Sequence, residues 1–487
     1  MNLALFLPEI SLAAFAIAII LLDLFVSQKG LLVVVSLIGA LVSALFTTML
    51  LLGGNAQSIF NQMLVVDQFA LYFKLLFLAI AVLVILASVD YAAKFARFQG
   101  EYYALVLLAA VGMMLMAATA ELISLYIALE LTSISLYALV GFLKDQKSSE
   151  ASLKYLLLGA VASAVLLFGM ALVFGFTGKT NLGDIARVIS GTPVSTLLAS
   201  PALTLGVVLM LAGFSFKIAA VPFHMWVPDV YEGAPTPITA FLSVGSKAAG
   251  FAIILRVFYS AFAVPSMLSL NWGLIFAVLS AISMTLGNLA ALPQNNIKRL
   301  LGYSSIAQAG YLMVGLATVG LSPARDVAGQ SAIMFFLTSY ALTNMGAFTA
   351  IIAISNKVNS DLIDDYTGMG KRAPVLALVL SLCLISLIGM PPAAGFMAKF
   401  YIFSSAVQHN LLWLVIIAVI NSVISAYYYL RVVKVMWFGE PASTEKVPSS
   451  GALRLALLLS SVGILLLGII PGLLIGLAQL AARIFVS

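Results

Sequence analysis

Apolar runs of about twenty residues follow one another along nearly the whole chain, and a run of that length crosses the ~30 Å hydrocarbon core of a bilayer as one helix. Cutting them at polar or Gly/Pro-rich breaks predicts helices over 3–25, 31–52, 68–88, 102–119, 122–143, 150–176, 202–222, 236–261, 271–291, 298–319, 329–355, 373–408, 411–437 and 453–482. The 373–408 run is too long for one straight crossing and is interrupted by GMPPAAGF, so it is a broken helix or two segments. Only 9% of the 487 residues are charged, against roughly 25% in a soluble domain, and no stretch is left for a soluble catalytic domain. The expected fold is an all-α integral membrane protein with about fourteen transmembrane helices.

Several functions are disfavoured by what is scarce. Cys383 is the single cysteine, too few for an internal disulfide or a four-cysteine iron–sulfur site, and His224 and His409 lie far apart. No redox cofactor and no structural metal are expected on this chain. The net charge of +6 comes without a basic cluster interleaved with aromatics, so nucleic acid is not an expected partner. The N-terminal MNLALFLPEISLAAFAIAIILLDLF lacks a basic leader and a small-residue cleavage site, and it reads as a retained first helix.

Lys and Arg collect on the cytoplasmic side of short loops, which makes the 24 basic residues a test of the layout. On the side reached after the first helix stand Lys29, Lys94, Arg97, Lys144, Lys147, Lys298, Arg299, Lys357, Lys371, Arg372, Arg431, Lys434, Lys446 and Arg454. The opposite side has only Lys179, Arg187, Arg256, Arg325 and Arg483. This asymmetry puts both termini outside the cytoplasm. Lys74, Lys154, Lys217, Lys247 and Lys399 remain, all inside predicted helices.

A charge at bilayer depth costs about 2.5–3.5 kcal/mol on insertion scales and usually faces a cavity or an ion path. Lys74, beside Asp67, and Lys154, near a helix end, can snorkel to the headgroups. Lys217, Lys247 and Lys399 sit deeper, beside Gly or Pro. Glu130 is the one acidic residue near the middle of a predicted span, and it needs a cation or a proton. A structural interhelical pair would satisfy it. So would a proton relay, because desolvation disfavours a charged ammonium while a nearby carboxylate favours it, leaving a lysine poised between states.

The predicted helix breaks fall at the same lysines: Pro222 follows Lys217, and Pro391 precedes Lys399. Interrupted helices are tolerated where freed backbone groups line a hydrated cavity, and paired interruptions point to a transporter core. AGFSFK at 212–217 and AGFMAK at 394–399 share AGFxxK, and YxxVG occurs at 137–141 and 311–315. These echoes suggest a duplicated five-helix unit, inverted because an odd number of helices separates the copies. The expected organisation is residues 1–100 for helices 1–3, 101–262 for a first repeat of helices 4–8, 263–440 for a second of helices 9–13, and 441–487 for helix 14. VPFHMWVPDVYEGAPTPITAFLSVGSK joins the first break to Lys247 and carries His224, which either lines the path or makes a structural hydrogen bond.

The stretches LYIALELTSISLYALVGF, FSFKIAAVPFHMWVPDVYEGAPTPITAFLSVGSKAAGF, NIKRLLGYSSIAQAGYL and LISLIGMPPAAGFMAKFYIF resemble the proton-conducting, antiporter-like membrane subunits of respiratory complex I, the proton-translocating NADH–quinone oxidoreductase. Within that family the likeness is to the N-type subunits, and the chain is also similar to the B-type subunits of the cyanobacterial and chloroplast NDH complex. The resemblance implies two inverted five-helix repeats with helices 7 and 12 broken. It also implies a path in which Glu130 of helix 5 tunes Lys217 of helix 7, Lys247 of helix 8 connects, and Lys399 of helix 12 lies toward the exit. Lys154 matches a lysine on helix 6. Lys399, where M-type and Mrp chains usually carry glutamate, favours N or L; the missing lateral helix leaves N. Gln308 stands where M and L chains tend to have histidine and cannot titrate, which puts Ser304, Ser305 or water in any relay there.

What the family implies is proton translocation coupled to quinone reduction in other subunits, with NADH or ferredoxin as electron donor. The implied partners are other membrane subunits of M-, K-, J-, A- and H-type, with the quinone pool reached indirectly. The implied location is the bacterial inner membrane, or the thylakoid in a cyanobacterium. The alternative is a cation/proton antiporter subunit of the Mrp type. A scaffold whose lysines only form interhelical pairs is a further rival.

Overall fold

The computed structural model describes residues 3–26, 28–54, 56–95, 98–198, 200–262, 272–321, 326–441, 443 and 445–485. Among the described residues, thirteen helices are long and apolar enough to cross a membrane. They are helix 1 (Leu3–Phe25), helix 2 (Gly30–Gly53), helix 3 (Gln68–Ser88), helix 4 (Gln99–Ala118), helix 5 (Leu122–Val140), helix 6 (Gln146–Thr177), helix 7 (Pro201–Ile218), helix 8 (Thr236–Ser260), helix 9 (Trp272–Ala291), helix 10 (Ile297–Val319), helix 11 (Ala328–Val358), helix 13 (Leu412–Phe438) and helix 14a (Gly451–Ile469). Helix 12 is the broken one, as 12a (Pro374–Ile388) and 12b (Ala394–Gln408). Each half has 15 residues, about 22 Å at 1.5 Å per residue, which is short of a full crossing.

Local chemistry sets the ends. Asp67, Glu121, Asp145 and Ser450 cap helices 3, 5, 6 and 14a by accepting from the backbone N–H three residues on. Helix 7 stops at Ala219, whose φ of +61° is left-handed, and Ala220 N–H returns to the Ser215 carbonyl. Helix 12a stops at Gly389, φ +90°, just ahead of two prolines. Helix 12b then starts against 12a so closely that a Cβ on Gly395 would lie 1.8 Å from the Ser386 carbonyl oxygen. Only glycine lets those backbones meet.

Three features depart from the expected helices. The C-terminal run 453–482 is not one helix: Pro471 divides it into 14a and 14b (Gly472–Ala482). An amphipathic helix, Leu182–Gly191, lies between helices 6 and 7, burying Leu182, Ile185 and Ile189. Residues 57–59 and 64–66 form a small antiparallel hairpin between helices 2 and 3. The inferred loop residues Arg97 and Arg325, and the repeat boundary at 263, fall outside the described residues.

Burial sorts the helices into layers. The apolar window of helix 8 is buried along its whole length, those of helices 10 and 11 nearly so, and only 28% of helix 6 is covered. Helix 8 is therefore the axis of the molecule. It is also irregular: residues Leu242–Ser246 form a π-helical turn immediately before Lys247. Such a turn inserts an extra residue per backbone hydrogen bond and re-aims the side chain after it, and π-turns recur at functional sites.

A buried line of lysines and hydroxyls

Glu130 lies on the half-buried side of helix 5, where its carboxylate accepts from the Ser163 hydroxyl of helix 6 at 2.5 Å. One turn further along, Ser133 faces inward and accepts from the ammonium of Lys217 at 2.8 Å. Glu130 and Lys217 are thus set side by side without a direct ion pair, each held by a serine. A small space beside Lys217 is lined by Ser133, Tyr137, Phe216 and Ser163, the serine that holds Glu130. Lys217 occupies the last turn of helix 7, so the break at Ala219 puts a buried ammonium at a helix C-terminus, the end whose dipole favours a cation.

Aromatic rings connect this point to helix 8. Tyr137 and Tyr155 meet edge to face at 4.7 Å between centroids, and Tyr155 stacks on Trp226 at 4.6 Å. The Tyr155 hydroxyl and that of Ser246, the residue before Lys247, are buried and have no protein hydrogen-bond partner. Lys247 reaches across to helix 10 and donates to both the carbonyl and the hydroxyl of Ser305, the latter at 2.6 Å. Tyr231, on the short helix Val227–Gly233, shares that hydroxyl at 3.1 Å.

Beyond helix 10 the polar groups continue. Ser304 is bonded to Tyr429 of helix 13, whose ring lies 4.4 Å from that of Tyr428. Tyr428 donates to Asn288 at 2.9 Å, and the Asn288 amide donates to Tyr311 at 3.2 Å. The Lys399 ammonium sits 4.3 Å over the Tyr311 ring. It also donates to the Leu387 and Ile388 carbonyls at 3.1 and 2.9 Å and to Ser422 at 2.8 Å. Those carbonyls are orphaned by the end of helix 12a, so the helix break itself builds the cation's cradle. Gln308 donates to the same Leu387 carbonyl at 3.2 Å. The structure thus brings Glu130, Lys217, Lys247 and Lys399 into one buried band.

Lys154 does not belong to that band. It is 43% exposed and pairs with Glu150 and with Asp229, both at 2.8 Å, instead of standing alone in the bilayer. Asp229 also pairs with Arg299 at 2.7 Å, and Arg299 with Glu232 at 3.0 Å. Burial alone would raise the Asp229 carboxyl, but hydrogen bonds from Lys154 and Arg299 outweigh it and hold the group below the usual carboxylate range. His224 sits half-buried in the turn after helix 7, where its Nδ1 is buried with no hydrogen-bond partner among the described residues; burial pulls its ring below the ordinary imidazole value, against a backbone hydrogen bond near Pro222.

Other charges were misread from sequence. Lys74 does not snorkel: it is buried and pairs at 2.7 Å with Glu9 of helix 1, whose carboxylate is equally buried. Arg256 is not a surface residue; it is 5% exposed and grips Asp67 with two bonds of 2.6 and 3.0 Å while donating to the Ala117 carbonyl. Lys298 is buried too, donating to the Ala234 carbonyl at 2.9 Å and 3.6 Å from Asp361. Lys74 and Arg256 stand one to two turns inside their helices and Lys298 in the first turn of its own, and linear position does not tell which face a neighbouring helix covers. The hydroxyl and amide residues of the band, Ser133, Asn288, Tyr311, Tyr428 and Ser422, carry no spacing that marks them.

The family model described as "NADH:quinone oxidoreductase/Mrp antiporter, TM" matches residues 119–425, a span that includes Glu130, Lys217, Lys247 and Lys399. The chain is 50% identical over 485 residues to NADH-quinone oxidoreductase subunit N of Dehalococcoides mccartyi, covering 99% of both chains. It is 45% identical to the subunit N of Desulforamulus reducens, again over 99% of both. Among solved structures it is similar to a chain of respiratory complex I from Thermus thermophilus, with a TM-score of 0.79, 34% identity, and 97% of this chain and 99% of that one covered. It shares its fold with a chain of the Mrp complex from a Dietzia species at TM-score 0.84, with 21% identity over 100% of this chain and 98% of that one.

Proposed function

Because the chain belongs to the NADH:quinone oxidoreductase/Mrp antiporter family of membrane subunits, we propose that it works as an N-type subunit of respiratory complex I and moves protons along Glu130, Lys217, Lys247 and Lys399. It is a proton-translocating membrane subunit of a multi-subunit, quinone-using complex; the electron chemistry belongs to other subunits. The high identity to subunit N over the whole length, against 21% to the Mrp chain, favours this reading over a stand-alone antiporter.

The observation that carries the proposal is the set of three buried ammonium groups, each resting on a hydroxyl that can accept or pass a proton: Lys217 on Ser133, Lys247 on Ser305, Lys399 on Ser422. The unpartnered hydroxyls of Tyr155 and Ser246 lie between the first two, and buried hydroxyls of this kind are satisfied by ordered water in a hydrated protein. At an effective dielectric near 20, bringing a carboxylate from about 8 Å to about 4 Å from an ammonium is worth about 2 kcal/mol. A movement of helix 5 that carried Glu130 toward or away from Lys217 would therefore load or release a proton, with Lys247 and Lys399 as the next stations. His224 and the Lys154–Asp229–Arg299 cluster flank this path without forming links in it.

The remaining assignments follow the same reading. Helices 4–8 and 9–13 act as two inverted repeats, a view supported by a left-handed helix stop near each AGFxxK lysine, Ala219 just after Lys217 and Gly389 ahead of Lys399. The chain lies in the bacterial plasma membrane with both termini outside the cytoplasm, beside partners of M-, K-, J-, A- and H-type. The complex takes electrons from NADH or ferredoxin.

The test is Lys217→Ala in the intact complex. Quinone-coupled proton pumping should fall sharply while the complex still assembles and still oxidises its donor with an artificial acceptor. Full pumping would remove Lys217 from the path; loss of assembly alone would favour a scaffold.

A further inference from the structure

A groove of about 760 Å³ opens on the outer surface between helices 2, 3, 11 and 14b, well apart from the lysine band. We propose that it is a binding site for one anionic phospholipid, with an acyl chain in the groove and the phosphate on Arg483.

Three relationships carry this. One wall of the groove is 14b, the short segment that Pro471 separates from 14a, and none of the lining comes from 14a. Its polar end is where the end of helix 2, the start of helix 3 and the end of helix 14b come together, at Leu52, Gln68 and Arg483. That end is a membrane surface. From there the wall runs through Leu75 to Ala79 on helix 3 and back through Leu477 to Leu474 on helix 14b. The eleven helical steps from Gln68 to Ala79 rise about 16 Å, which is about half of the ~30 Å hydrocarbon core and thus one leaflet. A groove one leaflet deep, apolar along its length and open to the side matches a single acyl chain; a membrane-crossing partner helix would need twice that depth.

Charge complementarity selects the headgroup. Arg483 is exposed and makes no ion pair among the described residues, and the Gln68 amide lines the groove beside it. A guanidinium binds a phosphate through two parallel donors, a geometry that a neutral headgroup exploits less because its own cation competes. The floor of the groove adds a consequence. The Tyr72 hydroxyl is bonded there to Thr338 of helix 11 at 2.7 Å, so the bound chain would wedge beside a contact that ties helix 3 to helix 11.

The experiment uses the purified complex in phosphatidylcholine nanodiscs containing a small fraction of phosphatidylglycerol that carries a photoactivatable group on one acyl chain. The matched probe is phosphatidylcholine with the same group. Adducts are mapped by peptide mass spectrometry. The phosphatidylglycerol probe should label Leu75–Ala79 and Leu474–Leu480 more than the phosphatidylcholine probe does. Arg483→Ala should lower that labelling about five-fold, the loss expected for one basic residue at an anionic surface, to the level of the neutral probe. Ala79→Trp should abolish it by filling the groove; if that variant fails to assemble, the exposed Arg483→Ala still decides. Equal labelling by both probes, labelling unaffected by Arg483→Ala, or an unlabelled groove covered by a neighbouring subunit would each overturn the proposal.

Discussion

The ammonium of Lys247 and the hydroxyl of Ser305, 2.6 Å apart, join helix 8 to helix 10 at the centre of the molecule. Lys247 is the residue that follows the π-turn, and Ser305 neighbours Ser304, from which hydroxyl and amide groups continue toward Lys399. One contact thus links Lys247 on helix 8 to the hydroxyl and amide groups that lead to Lys399.

Ser305→Ala removes that acceptor and leaves the carbonyl. A hydrogen bond to a charged group contributes about 1.5–3 kcal/mol, so proton pumping through this subunit should slow by about ten-fold or more. The measurement is quinone-coupled acidification of inverted vesicles, normalised to donor oxidation with an artificial acceptor. Pumping at the unaltered rate would take this contact off the path.

The Asp67–Arg256 pair is a structural clasp between helices 3 and 8. Asp67→Ala strands a buried guanidinium and should cost about 3–5 kcal/mol, whereas replacing both partners by apolar residues of similar volume is often neutral. Thermal unfolding of the detergent-solubilised complex should therefore show Asp67→Ala strongly destabilised and Asp67→Leu with Arg256→Met close to the parent. A double variant as unstable as the single one would contradict this account.

The Asp229 carboxyl titrates below its ordinary value in the folded chain, so the stabilisation it provides is present above about pH 4, the unfolded value, and is lost as pH falls through the lower folded value. The gap in melting temperature between the parent and Asp229→Asn should be constant near neutrality and close as pH drops below that range. Because Asp229 is partly exposed, the gap should be small. A gap that persists undiminished in strong acid would mean the asparagine acts through packing.

The sidedness of the chain is open to a direct measurement. Alkaline phosphatase fused after the C-terminus should be active, and a fluorescent protein that matures only in the cytoplasm should stay dark there. The reverse pattern would invert the whole topology.

Apolar run length alone fixed most of the fold: it marked the long spans before the C-terminal run to within a few residues, and the prolines near Lys217 and Lys399 announced the breaks at Ala219 and Gly389. Composition placed the chain in a membrane, and the depth of Lys217, Lys247 and Lys399 within apolar runs marked them as costly and hence purposeful. These are one-dimensional properties, because the bilayer acts on each segment separately. Which buried charge meets which partner is a property of helix rotation and packing, and no segment carries that information by itself. Only the tertiary structure paired Lys74 with Glu9 and Asp67 with Arg256, moved Lys154 out to Asp229, and assembled Ser305, Asn288 and Tyr311 from three helices into the line between Lys247 and Lys399.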